Sequence, residues 1–125
     1  MSPLRSMFYA TSIAASLFAT SLAAKRMPPK PVTPVVSEGV RYSADGDGRD
    51  EYVVAENVST GNLLWKVKVF HARIKFWIEE DTQIVFTTNL KLQGTFLMVR
   101  NEQGRCYAVS LQKKHVKKQD CGKIF

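Results

Sequence analysis

The residues best suited to chemistry in this chain lie in Asp45-Gly46-Asp47-Gly48-Arg49-Asp50-Glu51, where four carboxylates and two glycines share seven positions. Such a run either supplies hard oxygen ligands to a cation or makes an ordinary Asp-Gly hairpin turn, and the residue types fit both. The remaining titratable groups are scattered. His71 and His115 are far apart and neither has a companion at metal-ligand spacing. Glu79, Glu80 and Asp81 are consecutive, whereas hydrolysis by paired carboxylates needs two acids facing one another across a substrate. Acids in such a run suit the first turn of a helix, whose dipole favours them there. With no nucleophile, base and orienting group legible together, the chain reads as a non-enzymatic protein with no catalytic residues and no organic cofactor.

Cys106 and Cys121 are the only cysteines, and their chemistry depends on the compartment. Arg5 precedes an apolar run from Met7 to Ala24, and Ser21, Ala23 and Ala24 are small. That pattern is expected of a secretory signal peptide over residues 1–24, cut after Ala23 or Ala24. The alternative is a retained anchor, for which eighteen residues rich in Ala, Ser and Thr are short and weakly apolar. Export to the bacterial periplasm or the medium makes a Cys106–Cys121 disulfide the default, worth roughly 3 kcal/mol for a loop of about 15 residues.

The elements that must position these groups follow a linker. Met27-Pro28-Pro29-Lys30-Pro31-Val32-Thr33-Pro34 holds four of the five prolines, so residues 25–38 are expected to form an extended arm. Residues 39–125 then form a single small domain. Five segments within it are rich in β-branched and aromatic residues: Tyr52 to Ala55, Leu63 to Phe70, Gln83 to Leu92, Phe96 to Arg100 and Cys106 to Leu111. Turn residues separate them at Asp45 to Gly48, Thr60-Gly61-Asn62, Gln93-Gly94 and Gln103-Gly104. The spacing predicts a mainly β antiparallel meander of about seven strands, with one helical turn within Phe76 to Asp81. Trp65 has the area to anchor a small core, and Gly61 supplies the positive φ of a hairpin turn.

The stretch from Tyr52 to Trp65 resembles one repeat of the pyrroloquinoline-quinone-type β-propellers, in which a strand enters a Thr-Gly turn and the returning strand carries a Trp. Glu56 or Asn57 stands where that family often has Asp. A weaker second copy starts near Leu92 and lacks both the Gly and the Trp. The resemblance implies blade-like sheets; a closed propeller needs at least four blades, and this chain has room for about two. Residues Asp45 to Glu51 also resemble the calcium loops of integrin-type propeller repeats. That likeness implies carboxylate ligands from Asp45, Asp47 and Glu51, a backbone carbonyl from Arg49 and a turn at Gly48. Ser43 replaces the first Asp of the pattern.

The chain carries a net charge of +7. An excess of cations favours acidic partners, among them anionic headgroups, polyanionic glycans and nucleic acid. In Lys66-Val67-Lys68-Val69 the cations alternate with apolar residues, which places them on the wet face of a half-buried strand. Nucleic acid is not an expected partner, since export and the absence of a recognisable binding module oppose it. The expectation is an exported module that binds a protein or the envelope surface; the alternative is a calcium-dependent structural or adhesion domain. Membrane association follows only if the N-terminal segment is retained, and open sheet edges offer a route to homo-oligomers.

Overall fold

A computed structural model describes residues 29–125. The proposed signal segment, residues 1–24, and the start of the arm lie outside the described residues. Residues 29–34 run without regular structure into β1, Val35–Ser37, so a strand begins inside the stretch expected to be linker. Val35 and Val36 lie beyond the last proline of the arm, and the chain there is free to pair. Glu38 and Gly39 both have positive φ, 51° and 75°, the conformation that a two-residue hairpin demands. They bring Ser37 opposite Val40 at the start of β2, Val40–Gly46.

β3, Asp50–Asn57, and β4, Leu63–His71, complete a sheet of order β1-β2-β3-β4. The second sheet repeats the meander with β5, Thr87–Gln93; β6, Phe96–Asn101; β7, Cys106–Ser110; and β8, Val116–Gln119. Mainly β and antiparallel throughout, the domain has eight strands where about seven were expected. The segment from Gln83 to Leu92 is a strand only from Thr87, and the helical turn sits at Glu80–Thr82. Gln83 to Phe86 stay out of the sheet because they cross over the β2–β3 turn: an added Cβ on Gly48 would stand 2.8 Å from Ile84 Cβ and 3.0 Å from Phe86 Cζ.

The period of two sorts the side chains. Tyr42, Val53, Ala55 and Val69 from the first sheet meet Leu97, Val99, Tyr107 and Val109 from the second in one core. The outer face of the first sheet is polar and ion-paired, with Arg41 beside Glu56, Lys66 beside Asp45 and Lys68 beside Asp50. On the outer face of the second sheet, Lys91, Met98, Ala108 and Lys117 form one cross-strand row. The chain end returns to that face, held by the Cys106–Cys121 disulfide, whose Cα atoms are 5.2 Å apart, and by Lys91 Nζ donating to the Ile124 carbonyl at 2.8 Å. The sheets come closest where β1 and β2 meet β5. At the other side the edge strands β4 and β8 line an open groove.

Trp65, with the area to anchor a small core, is only half-buried. It packs against the core with its ring 6.0 Å from that of Tyr42, while Lys114 Nζ lies 6.0 Å from its centroid. Its strand is the sheet's edge, so one side of the indole has no neighbouring strand to cover it.

The hairpins after β3 and β7 are built alike. In the first, Asn57 N–H donates to Asn62 O, Gly61 N–H to Asn57 O, and Thr60 N–H to Asn57 Oδ1. In the second, Ser110 N–H donates to His115 O, Lys114 N–H to Ser110 O, and Lys113 N–H to Ser110 Oγ. Gly61 has φ 74° and Lys114 φ 55°. The second hairpin therefore keeps the turn without the glycine, placing a lysine in a left-handed conformation that costs it roughly 1 kcal/mol or more.

Candidate functional site

The segment from Asp45 to Glu51 is the β2–β3 turn, and each carboxylate has a separate task. Asp47 Oδ1 accepts from the backbone N–H groups of Arg49 at 2.9 Å and Asp50 at 3.0 Å, which closes the turn. Those two donors stabilise the ionised form and hold the Asp47 carboxyl below its ordinary value. Asp45 Oδ2 lies 3.2 Å from Lys66 Nζ. Asp50 Oδ1 lies 2.7 Å from His71 Nδ1 and 3.3 Å from Lys68 Nζ; the hydrogen bond to His71, with the charge of Lys68, lowers the Asp50 pKa.

Glu51 is only 3 % exposed. Its Oε2 accepts from Gly48 N–H at 3.2 Å and its Oε1 from Thr87 N–H at 2.8 Å. One carboxylate thus holds the turn of the first sheet and the opening residue of β5 in the second. Gly46 leaves the space for it, since a Cβ there would stand 1.7 Å from Oε2. Around this carboxylate the backbone is stitched across the joint: Val85 N–H donates to Gly48 O at 2.8 Å and Ala72 N–H to Arg49 O at 2.7 Å. The Arg49 guanidinium pairs with Glu80. Asp45, Asp47 and Glu51 are therefore each engaged with N–H or ammonium donors. Among the described residues no group of three or more His, Cys, Asp or Glu is placed to hold a metal ion.

The β4–β5 connection ends in an exposed apolar tip. Phe76, Trp77 and Ile78 are 93 %, 68 % and 43 % exposed. Phe76 and Trp77 meet edge to face at 5.0 Å, and Lys75 Nζ lies 5.8 Å from the Trp77 ring. The Gln83 side-chain amide fastens both ends of the tip, accepting from Lys75 N–H at 2.6 Å and donating to Lys75 O and Ile78 O at 2.9 Å each. The tip is thereby held in one shape while its rings face water. Burial of so much apolar area would return free energy at roughly 25 cal/mol per Å², and exposed clusters of this kind mark contact surfaces.

Beside the tip, an open groove of about 920 Å³ runs between the edges of β4 and β8. Its walls include Arg73, Lys75, Arg105, Lys117 and Lys118, and no Asp or Glu lines it. Phe70 and Tyr107, stacked at 5.1 Å, stand at its floor. His71 reaches its rim as part of the pair with Asp50, a companion that no spacing in the sequence revealed. No Ser, Thr or Cys lines the groove, so the His–Asp pair has no nucleophile beside it there.

Of the expected site residues, Asp45, Asp47 and Glu51 share one turn, and Cys106 and Cys121 are bonded. Gly61 and Trp65 belong to the β3–β4 hairpin at another part of the domain. Sequence reasoning missed Gln83 and Asn57. Asn57 Oδ1 accepts from Ser59 N–H at 2.9 Å as well as from Thr60, and it organises the turn together with Thr60, whose Oγ1 accepts from Asn62 N–H at 3.2 Å. Comparison with known proteins finds no matching family model and no matching curated protein.

Proposed function

We propose that this chain is an exported, non-enzymatic β module that binds a protein or the envelope surface. The observation that carries the reading is the tip Phe76-Trp77-Ile78, three large apolar side chains displayed to water and fastened there by Gln83. A loop without function loses little by replacing such residues with polar ones, whereas a contact surface needs them preformed, because a fixed shape lowers the ordering cost of association. Aromatic residues of this size also dominate the energetics of interfaces. Export is supported by the N-terminal pattern and by the Cys106–Cys121 disulfide, which persists in oxidising compartments.

The experiment is retention of purified protein on native envelope fractions, comparing wild type with Trp77→Ser and Phe76→Ser. Retention should fall strongly in both variants while their thermal unfolding stays that of wild type. Equal retention of wild type and variants would refute the reading. So would a hydrolytic or redox activity that maps to the domain and is lost in His71→Ala. Mass spectrometry of the protein from producing cells should show a chain starting at residue 24 or 25 and lacking two hydrogens.

A further inference from the structure

We infer that the groove between β4 and β8 receives an extended acidic segment of a partner protein, laid as an added strand along a sheet edge. The inference rests on the reading of the domain as a binding module and names the chemistry of its partner.

Arg73, Lys75, Arg105 and Lys118 line one concavity, Lys117 adds its charge from the outer side of the β8 edge, and none of the five forms an ion pair among the described residues. The cations of the first sheet and its β2–β3 turn are paired by contrast, Arg41 with Glu56, Lys66 with Asp45, Lys68 with Asp50 and Arg49 with Glu80. A concavity lined by one sign of charge concentrates the opposite charge, which here means carboxylates or another anion. The walls then choose between anions. β4 pairs only with β3, and β8 only with β7, so each presents an outer row of backbone N–H and C=O groups. Val116, Lys117 and Lys118 of β8 and Val69, Phe70 and His71 of β4 line the groove itself. A peptide strand can satisfy such a row with its own main chain, while a glycan or a lipid headgroup has no matching ladder.

Alternation completes the fit. Along β8, Lys118 shares the inward row with Tyr107, while Lys117 shares the outward row with Ala108. A strand added there, with acidic and apolar residues alternating, would turn its carboxylates inward to Lys118 and to Arg73, Lys75 and Arg105 of the groove, and its apolar side chains outward beside the Lys117 stem. The tip at Phe76 to Ile78 leaves the groove wall between Lys75 and Gln83, and adds apolar contact beyond its end.

The test is fluorescence anisotropy with a labelled peptide of alternating glutamate and valine, run against a twin whose alternate amides are N-methylated and against a sulfated polysaccharide. The unmodified peptide should bind, and the methylated twin should bind at least about tenfold more weakly, because it keeps the charge and loses the ladder. Charge reversal on either wall, Lys117→Glu with Lys118→Glu or Arg73→Glu with Lys75→Glu, should weaken binding by about tenfold or more with unfolding unchanged. Equal binding of the two peptides, or tighter binding of the polysaccharide, would overturn the inference in favour of a non-peptide anion. Binding that ignores charge reversal on both walls would overturn it by moving the site elsewhere. Trp77-dependent envelope retention without any peptide binding would refute the groove while leaving the module reading intact; loss of both would refute both.

Discussion

Removing the Glu51 carboxylate should uncouple the two sheets, and the structure permits the cost to be worked out before measurement. In Glu51→Ala the amides of Gly48 and Thr87, both buried, lose their only acceptor in this joint. A buried amide left unpaired costs about 1–3 kcal/mol, so the pair amounts to about 2–6 kcal/mol. Alanine also ends the desolvation of the carboxylate, which trims the expected loss to about 2–4 kcal/mol. A domain of this size has roughly 5–15 kcal/mol in all, so the variant should still fold. Gly46→Ala attacks the same bonds from the other side, because its Cβ would overlap Glu51 Oε2 at 1.7 Å and press on Asp50 O at 2.6 Å. Alone it should cost at least as much as Glu51→Ala. In the Glu51→Ala background the clash with the carboxylate is gone, only the contact with Asp50 O remains, and the cost should fall to about 1–2 kcal/mol. The double-mutant cycle in urea, with unchanged slope, should therefore show a coupling of about 2 kcal/mol. Additivity within about 0.5 kcal/mol would refute the claim that glycine and carboxylate form one device.

Lys114→Gly should stabilise the domain by about 1 kcal/mol, and Gly61→Ala should destabilise it by a similar amount, since both positions need positive φ; unfolding midpoints that move the same way would refute the equivalence of the two hairpins. Trp65→Ala should cost about 2 kcal/mol, below the ~3–5 kcal/mol of a fully buried aromatic, because the indole is half-exposed; a loss above about 4 kcal/mol would contradict its position at the edge. Asp47 and Asp50 both titrate below the ordinary 3.8 in the folded domain, so their contribution is complete above that value and is lost as pH falls through their lowered ones. Melting temperature should therefore fall at acid pH, and fall less in Asp47→Asn with Asp50→Asn; an unchanged acid profile would refute this. Calcium added to chelator-treated protein should leave the melting temperature in place, and a rise of several degrees would show a cation held at Asp45, Asp47 and Glu51.

Alternation along Lys66-Val67-Lys68-Val69, Gly-bearing turns and two cysteines were enough to read off a mainly β antiparallel domain, its wet and dry faces, and its disulfide. These are local properties, set by the period of two and by the backbone freedom of glycine. β1 escaped because the proline arm masks it until Val35 finds Tyr42 across a turn. The left-handed turn at Lys114 escaped because no glycine marks it. The acidic segment was legible as a turn and as a possible cation loop, and only the fold decides what its oxygens meet. Thr87 stands 36 residues from Glu51 in sequence, yet its amide takes the carboxylate oxygen that the loop offers. The groove is likewise a property of assembly: Arg73, Lys75, Arg105, Lys117 and Lys118 come from separate parts of the chain. They share one concavity because the two meanders pack together at β1, β2 and β5 and leave an open groove along the edges of β4 and β8. Strand period and turn chemistry act between neighbours in the chain, whereas the partners of a buried carboxylate and the walls of a groove are chosen by how two sheets meet.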